Sequence, residues 1–99
     1  MNAFEYVAVF KGMNRIQVDG TDFEVSYNVM KEVCAFVRQE RKPVLVHAET
    51  PLLGHHTSGV RKDFYRSQVD MDKHQLNDPI PKLRNRLIAS GVSDGELDQ

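Results

Sequence analysis

Between Asn14 and Asp19 the chain reads NRIQVD, with Ile16 and Val18 one pleat apart, which predicts a short strand over 14–19 with one covered face. The strand ends at Asp19-Gly20. Thr21-Asp22-Phe23-Glu24 has the form of a capping box, the Thr21 hydroxyl accepting from the Glu24 N–H while the Glu24 carboxylate reaches back. Phe23, Tyr27, Met30, Cys34 and Val37 then recur at steps of four and three, so a helix over 22–41 would carry them as one packed stripe. Arg38, Arg41 and Lys42 suit the negative helix end, and Pro43 cannot continue the hydrogen-bond ladder. After Pro43 comes VLVHAE, apolar on both sides of the pleat through Val44, Leu45 and Val46, as in strands buried within parallel sheets. Strand, helix and strand (44–49) make a βαβ unit with a right-handed crossover. The predicted fold class is α/β.

Residues 50–66 show neither period and carry Pro51, Gly54 and Gly59 among hydroxyl and imidazole side chains, so they read as a long loop of the kind that commonly carries function. The stretch 67–77 is ambiguous between a single helical turn and a connector. Asp78-Pro79 looks like an N-cap followed by proline at the first helical position, and Ile80, Leu83, Leu87 and Ile88 extend a helix over 79–91 to Gly91. Ser93-Asp94-Gly95-Glu96 repeats the capping-box pattern with room for only about one turn. Two strands fall short of the usual sheet of about four to six. The expectation is a single segment, 1–99, of a larger enzyme domain.

Composition narrows the classes. Hydrophobic residues make up 40% and charged residues 27% of the 99, so the chain reads as a globular piece rather than a disordered, collagen-like or disulfide-held one. Thirteen basic against fourteen acidic residues leave a charge of −1, evenly spread, which argues against a nucleic-acid partner. No apolar run approaches the ~20 residues of a membrane span. The start of the chain lacks an export-signal pattern, and the single Cys34 suits a reducing compartment, so the expected location is cytoplasmic.

Candidate chemistry gathers in the long loop. The strand 44–49 leads into Gly54-His55-His56, and ligands of open α/β sheets bind beyond the carboxyl ends of parallel strands. His47 and Glu49, two residues apart, share a strand face. With His55 and His56 they form a conceivable zinc set for a small metal-dependent hydrolase, although the spacing matches no established zinc signature and ordinary loop histidines explain the pattern as well. Thr57 to Lys62 could cradle an anion or be a solvated basic loop. Cys34 on the helix stripe reads as core, and Asp63, Asp70 and Asp72 read as a solvated face.

IQVDGTDFEVSYNVMKEV, KPVLVHAETPLLGHHTSG, DFYRS and DPIPKLRNRLIASG, in this order and at these intervals, resemble the carboxyl-terminal part of the alpha subunit of thiamine diphosphate-dependent 2-oxo acid dehydrogenases, most closely the branched-chain (2-oxoisovalerate) enzymes. The resemblance covers roughly 15–96. It implies a partial three-layer, parallel-sheet thiamine diphosphate-binding fold: a βαβ unit with flanking helices. The activity it implies is oxidative decarboxylation of a 2-oxo acid and acyl transfer to lipoamide. By position, His55 matches the histidine that contacts the cofactor side and handles the intermediate, and His56 matches its neighbour. Thr57 stands where mitochondrial relatives carry a phosphorylated hydroxyl residue, and Tyr65 and Arg66 match a pair that orders the loop. Asp19, Gly20 and Asp22 match the turn before the helix. Implied partners are a beta subunit and a lipoyl acyltransferase.

The chain departs from the family in three places. Pro51 and Leu52-Leu53 stand where an aromatic-arginine pair is usual, and Val60-Arg61 replaces an acidic pair, so the pattern that goes with charge-dependent ordering and kinase regulation is incomplete here, and Thr57, Tyr65 and Arg66 stay as the loop-ordering or regulatory candidates. The GDG and paired asparagines that hold Mg²⁺ and the diphosphate are absent from the 99 residues and would lie upstream. The expectation is therefore a segment inactive by itself and prone to self-association. A non-catalytic interaction module with exposed sheet edges is the remaining alternative.

Overall fold

The computed structural model describes residues 2–55 and 66–99. Met1–Glu49 and Thr50–Gln99 form two compact units. The first unit begins with a short helix, α1 (Ala3–Tyr6), that the sequence pattern did not announce. Asn2 and Glu5 close its capping box, and a 3₁₀ turn, Val7–Val9, follows. Arg15 fastens this start to the sheet: its guanidinium lies 4.2 Å over the Phe4 ring and donates to the Phe4 carbonyl.

Strands β1 (Asn14–Asp19) and β2 (Val44–Glu49) pair in parallel, from Asn14 beside Val44 to Asp19 beside Glu49. Helix α2 (Phe23–Glu40) makes the crossover. Its N-cap is Asp22, whose carboxylate accepts from the Val25 N–H at 3.1 Å, rather than Thr21. The reason is visible at Thr21: its N–H and hydroxyl both donate to Asp19 Oδ1, at 2.9 and 2.7 Å, and the residue is buried. The helix ends at Arg41, which adopts the left-handed conformation at φ 56° while its N–H closes on the Val37 carbonyl.

The packed face of α2 also differs from the expected stripe. Val33 is buried and Ser26, Val29 and Phe36 are half-buried, whereas Phe23, Tyr27, Met30 and Val37 are exposed. A helix this rich in apolar residues carries two neighbouring stripes, and the one led by Val33 faces β1, whose Val18 is the other buried apolar side chain among the described residues.

The second unit is helical. Helix α3 (Gln68–Leu76) occupies the stretch that the pattern left ambiguous. It has no apolar stripe to reveal its period; instead Ser67 caps it and Gln68 donates to Asp72 at i,i+4. Helix α4 (Pro79–Ala89) starts on the Asp78 cap with Pro79 in its first turn and ends before Gly91, whose φ of 107° favours glycine. The last turn, α5 (Asp94–Leu97), has the expected Ser93–Glu96 capping box.

Candidate functional site

At the carboxyl end of the parallel pair, the edge where open α/β sheets bind ligands, backbone and side chains are tightly occupied. The Gly20 N–H donates to the Glu49 carbonyl at 2.9 Å, and the Ser26 hydroxyl donates to the Asp19 carbonyl at 3.2 Å. The Glu49 carboxylate accepts from Gln17 Nε2 at 2.7 Å. Asp19 and Asp22 thus serve the turn and the helix start. His47 lies beside Gln17 in the register, with a buried Nδ1 that has no hydrogen-bond partner among the described residues. A cavity of about 470 Å³ opens at the opposite, amino-terminal end of the strands, between Asn14, Ile16, Val33, Phe36 and Val44. It is not at the ligand-binding edge.

In the second unit, His55 follows a bend at Gly54 and is exposed. Three residues before it, the Leu52 N–H donates to His74 Nδ1 at 2.7 Å. The other ring nitrogen of His74, Nε2, lies 2.9 Å from Arg66 Nη1 and 3.6 Å from Asp70 Oδ1, while Arg66 Nη1 donates to Asp70 Oδ2 at 2.6 Å. Of the residues expected in the site, His55 and Arg66 are therefore in the same unit; His56, Thr57 and Tyr65 lie outside the described residues.

The sequence pattern does not single out His74, and Asp70, which reads as a solvated carboxylate, is 42% exposed while pairing with Arg66. A signal existed: Arg66, Asp70 and His74 repeat at steps of four, one helix face. Of the zinc set, His56 lies outside the described residues. No three His, Cys, Asp or Glu side chains gather to hold an ion among the described residues, and Glu49 is engaged by Gln17.

The shifted ionisable groups sit at the α4–α5 junction and include none of the expected site residues. Arg84 is raised above the usual arginine value by hydrogen bonds, first to Asp98 and then to Asp94. Glu96 is held below the usual glutamate value by the backbone N–H of Ser93 and then by its hydroxyl. No helix of the described residues is long and apolar enough to cross a membrane.

A parallel βαβ unit whose second strand leads in sequence into a Gly-His-His loop defines an α/β chain of the ligand-binding, open-sheet kind. Residues 1–99 match the dehydrogenase E1 component family along their whole length, and the chain belongs to that family. It is similar to the 3-methyl-2-oxobutanoate dehydrogenase subunit alpha of Mycobacterium tuberculosis, 38% identical over 92 residues, 93% of this chain and 25% of that protein. The mitochondrial 2-oxoisovalerate dehydrogenase subunit alpha of Homo sapiens is 34% identical over 89 residues, 89% of this chain and 20% of its own length. The pyruvate dehydrogenase E1 component subunit alpha of Mycoplasma genitalium is 31% identical over 85 residues, 86% of this chain and 24% of that protein. The chain spans a quarter or less of the length of these relatives. No solved structure matches it significantly.

Proposed function

We propose that this chain is the histidine-loop segment of the decarboxylating component of a 2-oxo acid dehydrogenase complex, within a larger three-layer, parallel-sheet thiamine diphosphate-binding fold. The observation that carries the reading is the family match over all of residues 1–99, within which Gly54-His55-His56 follows a parallel strand. The substrate is a branched-chain 2-oxo acid, as in the names of the mycobacterial and human relatives. The partners are a beta subunit and a lipoyl acyltransferase, and the location is cytoplasmic.

Thiamine diphosphate supplies the electron sink for decarboxylation when bound. The GDG and paired asparagines of its Mg²⁺-diphosphate anchor do not occur in the 99 residues, and no three His, Cys, Asp or Glu side chains meet among the described ones, so these residues do not fit the anchor. What this chain contributes in this reading is His55, an exposed imidazole that can serve as a proton donor or acceptor.

The test is made in the full-length enzyme assembled with its beta subunit and a lipoyl acceptor. 3-Methyl-2-oxobutanoate is expected to be turned over in preference to pyruvate, and His55→Ala should lower turnover by roughly a hundredfold or more, the scale of a lost acid/base group. A preference for pyruvate would overturn the substrate assignment. Unchanged turnover in His55→Ala would remove the imidazole from the chemistry.

A further inference from the structure

The arrangement around His74 joins two points of the chain that are far apart in sequence. Leu52 and Arg66 are separated by the thirteen positions 53–65, yet the backbone N–H of the one and the guanidinium of the other both reach the same imidazole, at Nδ1 and Nε2. Because Nδ1 accepts from Leu52, the ring's proton belongs on Nε2. With the proton on Nε2, Arg66 Nη1, 2.9 Å from that nitrogen, makes no hydrogen bond to the ring. Asp70 stands beside both groups: Oδ2 accepts from Arg66 Nη1 at 2.6 Å, and Oδ1 lies 3.6 Å from His74 Nε2, too long for a hydrogen bond but close enough for electrostatic attraction. The side chains of His74 and Arg66 are 24% and 27% exposed and that of Asp70 is 42% exposed, so the group lies at the surface with its two nitrogen partners half-buried.

All three groups sit on or just before one helix. Ser67 caps α3 and places Arg66, Asp70 and His74 one turn apart, so the register of α3 decides whether position 52 and position 66 can be held together. We propose that Asp70 and His74 form a clasp that ties the two ends of the segment carrying His55, and that both are positioning residues for that histidine. The clasp stands on the contacts alone; that it serves catalysis rests on the function proposed above. Fixing positions 52 and 66 in folding removes the freedom of those two positions before any ligand arrives.

The test is hydrogen–deuterium exchange, read by mass spectrometry in the full-length subunit. His74→Ala should speed exchange of the peptide containing Leu52 at least tenfold, with peptides from β1 and α2 unchanged as the folding control. Alanine favours helix, so α3 itself should persist. His74→Asn, whose Oδ1 can stand where Nδ1 stood, should restore the Leu52 protection. Asp70→Asn should leave Leu52 protected and release the peptide that begins at Arg66. Unchanged Leu52 exchange in His74→Ala, or equal loss in the alanine and asparagine variants, overturns the clasp. The functional half is read separately in the assembled enzyme: His74→Ala should lower kcat with the lipoyl acceptor several-fold and His74→Asn recover most of it. A clasp confirmed by exchange with kcat unaltered in His74→Ala would overturn the positioning role and leave the clasp as a purely structural device. Loss of turnover in His55→Ala alongside unchanged Leu52 exchange in His74→Ala would overturn the clasp and leave the proposed function standing.

Discussion

Glu96 accepts from the amide and the hydroxyl of Ser93, both at 2.9 Å, and so fastens the last helical turn through one carboxylate. Because these donors hold its folded pKa below the ordinary glutamate value, the carboxylate favours the folded turn fully above that ordinary value, and the contribution is lost as pH falls through the depressed midpoint. A chemical-shift titration should show Glu96 titrating below free glutamate, and Ser93→Ala, which removes the hydroxyl and keeps the amide, should return it only part of the way toward the ordinary value. An unmoved midpoint in Ser93→Ala would refute the hydroxyl's share, and a full return would refute the amide's. The Ser93–Glu96 box was legible in sequence because both its partners lie within four residues. The Thr21–Glu24 box had the same form and was misread, because Asp19, on the far side of the turn, offers the Thr21 hydroxyl a carboxylate and leaves the cap to Asp22.

For the elements, periodicity located what repeats and overlooked what does not. Strands β1 and β2 and helices α2 and α4 announce themselves through apolar spacing and end signals. Helices α1 and α3 are built from capping side chains and polar i,i+4 pairs, which leave no hydrophobic period. The end of α2 offers a measurable consequence. Arg41 holds φ 56°, a conformation that costs a non-glycine residue about 1 kcal/mol or more, so Arg41→Gly should stabilise the chain by about 1 kcal/mol. Urea unfolding monitored by circular dichroism measures it, and a lowered midpoint would show that the Arg41 side chain matters more than its backbone strain.

In the molecule as a whole, β1 and β2 pair only with each other among the described residues, and α2 presents Phe23 and Tyr27, stacked with centroids 6.2 Å apart, to solvent beside Met30 and Val37. Roughly a few hundred Å² of such surface is worth several kcal/mol at about 25 cal/mol per Å². The 99-residue chain by itself should therefore self-associate, and Tyr27→Glu should shift sedimentation toward monomer; a parent chain that is already monomeric would show that this face needs no cover. It should also bind thiamine diphosphate with Mg²⁺ only weakly, and calorimetric binding at micromolar strength, about 8 kcal/mol, would mean that the anchor lies within these residues after all. The α/β class, the positions of the repeating elements and the Gly54-His55-His56 motif were determined by the sequence alone, because each depends on neighbours within a few residues or on a recognisable string. Which stripe of α2 meets the sheet, which residue caps it, and the gathering of Leu52, Arg66, Asp70 and His74 were decided only by the tertiary structure. Each of those depends on a competing partner or covering surface supplied from elsewhere in the chain, and no local pattern records which competitor wins.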